Sequence, residues 1–556
     1  MKLPSSGNKV SVWEGAFEDC VKLSSFSPAS QVNSLGDRAF KNCASLLSID
    51  LSNSGCVIVH KETFSGCTAL ETVRLKSNAY EIGEAAFKDC SALTFLNMTT
   101  NMRRIGKSAF YGCSKLASNM TLPSYIEVIQ PYTFYNCQNL KTVGTCSALT
   151  SVPVGMFRNC TSLESISLPK ISSIGNHAFY NCRALSSATV SGSPTSVGTY
   201  AFYCCTSLKG LSLPSSVTSI GDYAFYGCSA MTYIYLPSKL TSVGKDAFRN
   251  CAALTSFNAS STQLSSIGNE ALRGCTKLVT VRLPNTLKTV GEYAFAECGA
   301  IRSMSLPSYI TSIGQYAFRM DTSITSLTIP FSCPVVPKGM CYGCTSLKTV
   351  NFGNTTTDVG DYAFYGCTSL TNWLNIGNLY GVGKSSFENC KGIKTITFPA
   401  SAEGFEEKAF AGCTALTAVF FNRQSVSFGK NVFQNAGALR DVYYVGTQSL
   451  WNEKVSGQSL FTSDPNLYFQ YKASSPNDLV TSSVVLKNLP AKRTYTVGDS
   501  FASAGMRLKV TFTDASYAEI TRGFTYSPLR MDKPGSQKVV VTYGGKSTGF
   551  YVTVNG

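Results

Sequence analysis

Apolar and polar positions recur along most of this chain with a period near 23 residues. Cysteine marks the beat, at Cys20, Cys43, Cys67, Cys90, Cys113, Cys137, Cys160, Cys182, Cys205, Cys228, Cys251, Cys275 and Cys298, then at Cys344, Cys367, Cys390 and Cys413. Single steps run from 22 to 24 residues. Asp321 fills the place skipped between Cys298 and Cys344, and Ala436 follows Cys413. Nineteen coils result, seventeen of them marked by Cys. Phe stands three residues before the marker except where Leu272 and Cys341 replace it.

Inside a coil the pattern predicts the elements. Leu208, Leu211 and Leu213 stand at +3, +6 and +8 from Cys205, and Pro214 follows. The alternation at +6 and +8 predicts a short strand with one buried face, which Pro then stops. Val217 and Ile220 precede Gly221, which suits a turn with positive φ. Ala224, Phe225, Cys228 and Met231 follow at helical spacing and predict one short helical turn. A single coil cannot bury its own apolar residues, so coils must stack and align like residues into ladders.

Seventeen thiols at one repeat position read as a ladder of small buried side chains, since free Cys behaves as a small hydrophobe. Phe202, Phe225 and Phe248 with Cys205, Cys228 and Cys251 are the expected structural ladder. Metal would require clustered ligands, and the near pairs Cys204-Cys205 and Cys341/Cys344 have no companion pair at zinc spacing. A disulfide framework is the other alternative. Equal placement on every coil favours no particular pairing, so Cys56, Cys146, Cys204, Cys333 and Cys341, outside the ladder, are the better candidates for bridges.

The unit C-x-x-L-x-x-[IVL]-x-LP-x-x-[IV]-x-x-[IV]G-x-x-AF resembles the BspA-type leucine-rich repeats over residues 1 to about 446. Val442 to Val455 resembles the closing motif of such arrays, with Trp451 sealing the last coil. The resemblance implies a right-handed leucine-rich-repeat solenoid with a parallel β-sheet on its concave side and its turns on the convex side. It also implies surface display with adhesion or host-protein binding, and no shared catalytic residues or cofactor. Residues 473–480 break the period and read as a linker. Beyond them, short alternating runs predict an all-β module. Tyr495-x-Val497-Gly498-Asp499, Pro534-Gly535 and Val541 to Gly545 are similar to bacterial Ig-like domains, without the antibody-type disulfide. The expected organisation is a solenoid over 1–472, with its closing segment at 442–472, a linker over 473–480, and an Ig-like β-sandwich over 481–556.

Charge changes this picture little. The chain is 44% apolar and 14% charged, with net charge +16. Residues 481–556 hold ten Lys/Arg against four Asp/Glu. The cations are scattered without a run of five, so a solvated basic surface is expected and no specific nucleic-acid site. No apolar run reaches the roughly 18 residues of a transmembrane segment. The N-terminal stretch lacks the apolar core of a secretory signal, and Leu3-Pro4 already reads as the end of a strand. Either a leader and cap have been removed, or a partner covers this open coil.

Catalytic chemistry is not expected. His60 and His177 sit on turns with no carboxylate or Cys partner in their own coils, and no phosphate-binding motif occurs. The outward strand positions, +5 and +7, are mostly Ser, Thr and Asn, as in Ser165/Ser167 and Ser256/Asn258. The pattern breaks at Tyr233 and Tyr235, at Arg282, at Arg74, Lys76 and Phe95, and at Phe420 and Tyr443. Tyr and Arg are favoured at binding hot spots, so Tyr233, Tyr235, Arg282, Arg74, Lys76 and Phe95 are the candidate ligand residues. Tyr200, Tyr223, Tyr293, Tyr316 and Tyr362 share one turn position, which favours a structural spine. The expected function is a binding or adhesion protein at the cell surface, or secreted, with an extracellular protein or glycan as partner. The alternative is a structural subunit of a particle or envelope, such as a virion or surface layer.

Overall fold

The computed structural model describes residues 9–27, 29–144, 149–353, 355–371, 376–456, 458–472 and 478–556. Leu3-Pro4, Cys146 and positions 473–477 of the expected linker lie outside these residues. The chain is a parallel-strand solenoid of about 19 turns followed by mixed sheets at the C-terminus. It divides into two compact units, Met1–Phe318 and Arg319–Gly556.

In the first unit most coils contribute two strands. The predicted one is seen at Gly210–Ser212, Tyr233–Tyr235, Ser256–Asn258 and Thr280–Arg282, with parallel in-register pairing such as Leu211 with Ile234. A second ladder was not anticipated. Ser196–Val197, Ser219–Ile220, Ser242–Val243, Ser266–Ile267, Thr289–Val290 and Ser312–Ile313 form a six-stranded parallel sheet. Two residues per coil are too few to produce a readable alternation.

The segment expected as a helical turn is built differently. The N–H groups of Ala224, Tyr226 and Cys228 donate to the carbonyls three residues back, while those of Tyr223, Phe225 and Gly227 donate to Lys245, Ala247 and Arg249 of the next coil. The alternation follows from the backbone, since Tyr223 (φ 56°) and Gly227 (φ 70°) are left-handed. An α-helix would direct every N–H along its own axis. Here half of them knit the coils together. The expected positive φ at Gly221 is also corrected, because the left-handed residue is Tyr223, two positions later. Gly221 is required by close approach instead: a Cβ there would lie 2.7 Å from the backbone nitrogen of Thr199 in the preceding coil.

The ladder residues fill the interior. Phe202, Phe225 and Phe248 are fully buried and stack at 5.2 Å between successive centroids, 4° and 6° from parallel. The cysteines of the described residues are thiols, so the bridges expected at Cys56, Cys204, Cys333 and Cys341 do not form there. The ladder thiols are more than small hydrophobes. Cys205 Sγ donates to the Phe179 carbonyl at 3.1 Å, Cys228 to Phe202 at 3.2 Å and Cys251 to Phe225 at 3.2 Å. Each thiol therefore reaches the carbonyl of the Phe one coil back, adding a weak side-chain bond to each step of the stack.

The second unit repeats this architecture and then closes it. Strands Thr395–Phe398, Ala418–Phe421, Asp441–Tyr444 and Asn466–Phe469 pair in parallel. The helix Gln448–Lys454 is capped by Thr447, whose side chain accepts from Leu450 N–H. Its Trp451, 3% exposed, packs against Phe421, Phe428 and Tyr444 at the end of the stack. Asn466–Phe469 then pairs antiparallel with Tyr517–Ile520, so the solenoid sheet continues into the C-terminal β-module. That sheet goes on through Arg507–Phe512 and Thr481–Asn488. Thr494–Thr496, Lys546–Asn555, Gly535–Tyr543 and Thr525–Ser527 make the second layer.

Candidate functional site

The alternation of each strand turns Ile234, Phe257 and Val281 inward and leaves the flanking residues outward. Tyr233 and Tyr235 are 43% and 64% exposed, with ring centroids 5.2 Å apart at 48°. Tyr233 is seated by its neighbour. It pairs with Gly210, where a Cβ would lie 2.5 Å from the ring, so a larger residue would lift the ring off the adjacent strand. Gly210, at a position usually held by Ser or Thr, is the sequence signal for this seat. Arg282 pairs with Asn258, is exposed and forms no ion pair among the described residues. At about 4.8 Å per strand, Arg282 lies two steps, or about 10 Å, from Tyr235.

Arg74 and Phe95 form a second patch. The guanidinium lies over the Phe95 ring at 5.7 Å, and Phe95 is 45% exposed. Lys76 is separate from the strand Thr72–Arg74, two residues beyond its end, and half-buried. Six to seven steps separate this patch from Tyr233, about 29–34 Å at the same spacing, so the six candidate residues divide into two groups.

Two expectations for the face are corrected. Phe420 and Tyr443 are not open to ligand. Tyr443 is 5% exposed, stacked between Phe420 at 4.5 Å and Tyr468 at 4.3 Å, in a core shared with Val510, Phe512 and Ala518 of the C-terminal module. Burial raises the pKa of the Tyr443 and Tyr468 hydroxyls. The sequence does not show that another module lies over this end.

On the turn side, His177, Tyr200 and Tyr223 stack at 5.0 and 4.6 Å. A second row was missed although the Phe-Tyr dipeptide recurs. Lys88, Tyr111, Tyr135, Arg158, Tyr180, Tyr203, Tyr226 and Arg249 stack in sequence, with Arg158 between Tyr135 at 5.6 Å and Tyr180 at 4.5 Å. Ring faces occupied by neighbours are closed to a ligand, which gives these rows a structural part. His60 Nδ1 lies 3.9 Å from Asp37 of the preceding coil. Burial and then Arg158 lower the His177 pKa. Burial also pushes the Cys205, Cys228 and Cys251 thiols well up, so the thiolate needed for nucleophilic or metal chemistry is suppressed. Among the described residues no group of three His, Cys, Asp or Glu is arranged to hold a metal, and no helix is long and apolar enough to cross a membrane.

The BspA type leucine rich repeat region (6 copies) matches residues 2–117, 58–182, 150–263, 241–371 and 335–459, and the bacterial Ig-like domain (group 3) matches 489–554. No curated protein matches the chain. Solved structures similar to it include a leucine-rich repeat protein from Bacteroides ovatus, at 21% identity, covering 78% of this chain and 87% of that one with a TM-score of 0.32. Another from Eubacterium ventriosum has 19% identity, covers 58% of this chain and 89% of that one, and has a TM-score of 0.37. A leucine rich cell surface protein from Faecalibacterium prausnitzii has 20% identity, covers 82% and 90%, and has a TM-score of 0.27. With the repeat matched over most of its length, this chain belongs to the BspA-type leucine-rich repeat family and carries a C-terminal bacterial Ig-like domain.

Proposed function

We propose that this chain is a surface-displayed or secreted binding and adhesion protein, using its strand face to hold an extracellular macromolecule, protein or glycan, without a cofactor. One observation carries the reading. From Asn119–Thr121 to Thr280–Arg282 the outward strand residues include no carboxylate and are mostly small, and among them stand Tyr233, Tyr235 and the unpaired Arg282. These three are the groups able to bury substantial area against a partner. Membership of a repeat family of binding scaffolds supports the same reading. The buried, hydrogen-bonded thiols suit an oxidising exterior, because oxidants reach exposed thiolates first.

The test is binding of the whole chain to panels of immobilised matrix proteins and oligosaccharides. The triple variant Tyr233→Ser, Tyr235→Ser, Arg282→Ser keeps residue types already present at outward positions of other coils. It is expected to retain its Tm and to lose about 30-fold or more in affinity, near 2 kcal/mol. Retention of both Tm and binding would remove this patch as the site.

A further inference from the structure

Resting on that reading, we propose that the hollow between the strands Ser187–Gly192 and Gly210–Ser212, together with Tyr235, is a carbohydrate subsite that seats a short stretch of an oligosaccharide.

The hollow forms where one strand outruns the next. Pro follows the strand in many coils, as Pro214 does after Leu213, although the preceding strand Ser165–Ile171 runs through its own Pro169. The coil of Cys182 has Ser191 at that place, and its strand runs on to Gly192. The next strand stops at Ser212, so a step opens between them. Gly192, with φ 103°, completes the longer strand, since a Cβ there would lie 2.4 Å from the Ile171 carbonyl oxygen. The hollow is an open depression of about 490 Å³, lined by Thr189, Ser191, Gly192, Ser212, Pro214 and Ser215 among others. That volume lies in the range of small-ligand sites.

Its lining differs from the Ser/Thr row that precedes each strand in this part of the repeat. Thr232 Oγ1 donates to the Lys209 carbonyl at 3.1 Å, Thr255 to Thr232 at 3.2 Å and Thr218 to Thr195 at 3.0 Å, so those hydroxyls are engaged in stacking the coils. The hydroxyls of Thr189, Ser191, Ser212 and Ser215 hydrogen-bond no protein group among the described residues, and all four residues are exposed. Each hydroxyl both donates and accepts, which is the requirement for reading sugar hydroxyls. The hollow contains no charged side chain, so an uncharged polyol enters without desolvating an ion.

Tyr235 supplies the second half. It pairs directly with Ser212 of the lining and keeps 64% of its surface free. Its broad apolar body offers the C–H face of a pyranose a surface to cover, and its hydroxyl remains in water. Tyr233 lies across Gly210, two residues before Ser212. A flat protein partner would bury the tyrosines but leave the four hydroxyls of a recessed step unmatched, at a cost for each polar group left without a partner. A glycan matches both.

The experiment exposes the full chain to an array of neutral and acidic oligosaccharides and, in parallel, to immobilised matrix proteins. Titrations follow with the best-bound glycan. Tyr235→Ser removes the aromatic surface, Ser212→Phe fills the hollow, and Tyr125→Ser alters an exposed tyrosine outside the hollow. The expected result is glycan binding that falls about tenfold or more in each of the first two variants and is unchanged in the third, with Tm retained. Should Ser212→Phe fail to fold, Tyr235→Ser together with Ser191→Ala decides. Glycan binding that survives both changes overturns the subsite. Matrix-protein binding with no glycan bound overturns the carbohydrate inference but leaves the adhesion reading standing. Binding to neither panel overturns both.

Discussion

Phe225 shows how much one residue carries in a stacked coil. Its ring is fully buried between Phe202 and Phe248, so removing it leaves a gap that the rigid ladder cannot close. Phe225→Ala is expected to cost about 3–5 kcal/mol by thermal or denaturant unfolding, and a loss below about 1 kcal/mol would place the ring outside the core. Cys228 carries less. The Phe202 carbonyl also accepts from Cys205 N–H, so Cys228→Ala leaves it one partner and should cost about 1 kcal/mol. The thiols are also a direct probe of burial. In the native protein a thiol reagent is expected to react slowly and with few groups, Cys20 foremost because it is exposed. After denaturation without reductant, most of the 22 cysteines should react, and fewer than half reacting would refute the free-thiol ladder. The sequence located these residues correctly as an interior row. It did not reveal the thiol-to-carbonyl bond, because that bond joins residues one coil apart whose proximity depends on stacking.

At the level of the ladder, many small effects act in concert. Burial pushes the Cys67, Cys160 and Cys413 thiols up from 9.0 to about 12. Below pH 9 both folded and unfolded chains keep these protons, so stability is unaffected. Between pH 9 and 12 the unfolded chain releases them while the folded ladder holds them, so stability falls as pH rises. Each such thiol contributes up to about 1.4 kcal/mol per pH unit across that window. Circular dichroism should therefore show steep alkaline unfolding of the repeats, and Cys160→Ala, Cys182→Ala, Cys205→Ala together should move its midpoint upward. An unchanged midpoint would refute the mechanism. The turn side also acts as an element. Gly221→Ala forces a Cβ against the preceding coil's backbone and is expected to cost more than the roughly 1 kcal/mol that Ala normally recovers over Gly in regular structure. The glycine's recurrence was visible in the sequence. Its reason was not, because a contact of 2.7 Å to a residue 22 positions earlier exists only once the coils are stacked.

Across the second unit, the Ig-like domain covers the end of the repeats rather than hanging from them. Tyr468 Oη lies 3.2 Å from Tyr543 Oη, Gln448 N–H donates to Tyr517 Oη at 3.0 Å, and Arg507 pairs with Asp464 at 2.9 Å. We propose 1–472 and 481–556 as separate folding regions in sequence whose stabilities are coupled through this contact. Tyr468→Ala is expected to lower the unfolding transitions of both regions, by about 3–5 kcal/mol at the shared core, and a shift confined to one of them would refute the coupling. The period, the strand with its buried +6 and +8 residues, the Phe and Cys rows and the change to an alternating β-module were all legible in the residues. Each depends on a repeated local pattern, and repetition multiplies a weak signal. The pairing of Asn466–Phe469 with Tyr517–Ile520, the burial of Tyr443 and the step beside Ser191 were not. Each is a single event between segments distant in the chain. Its outcome depends on which surfaces meet when the coils stack and the last module folds back, and no local alternation of apolar and polar residues encodes that meeting.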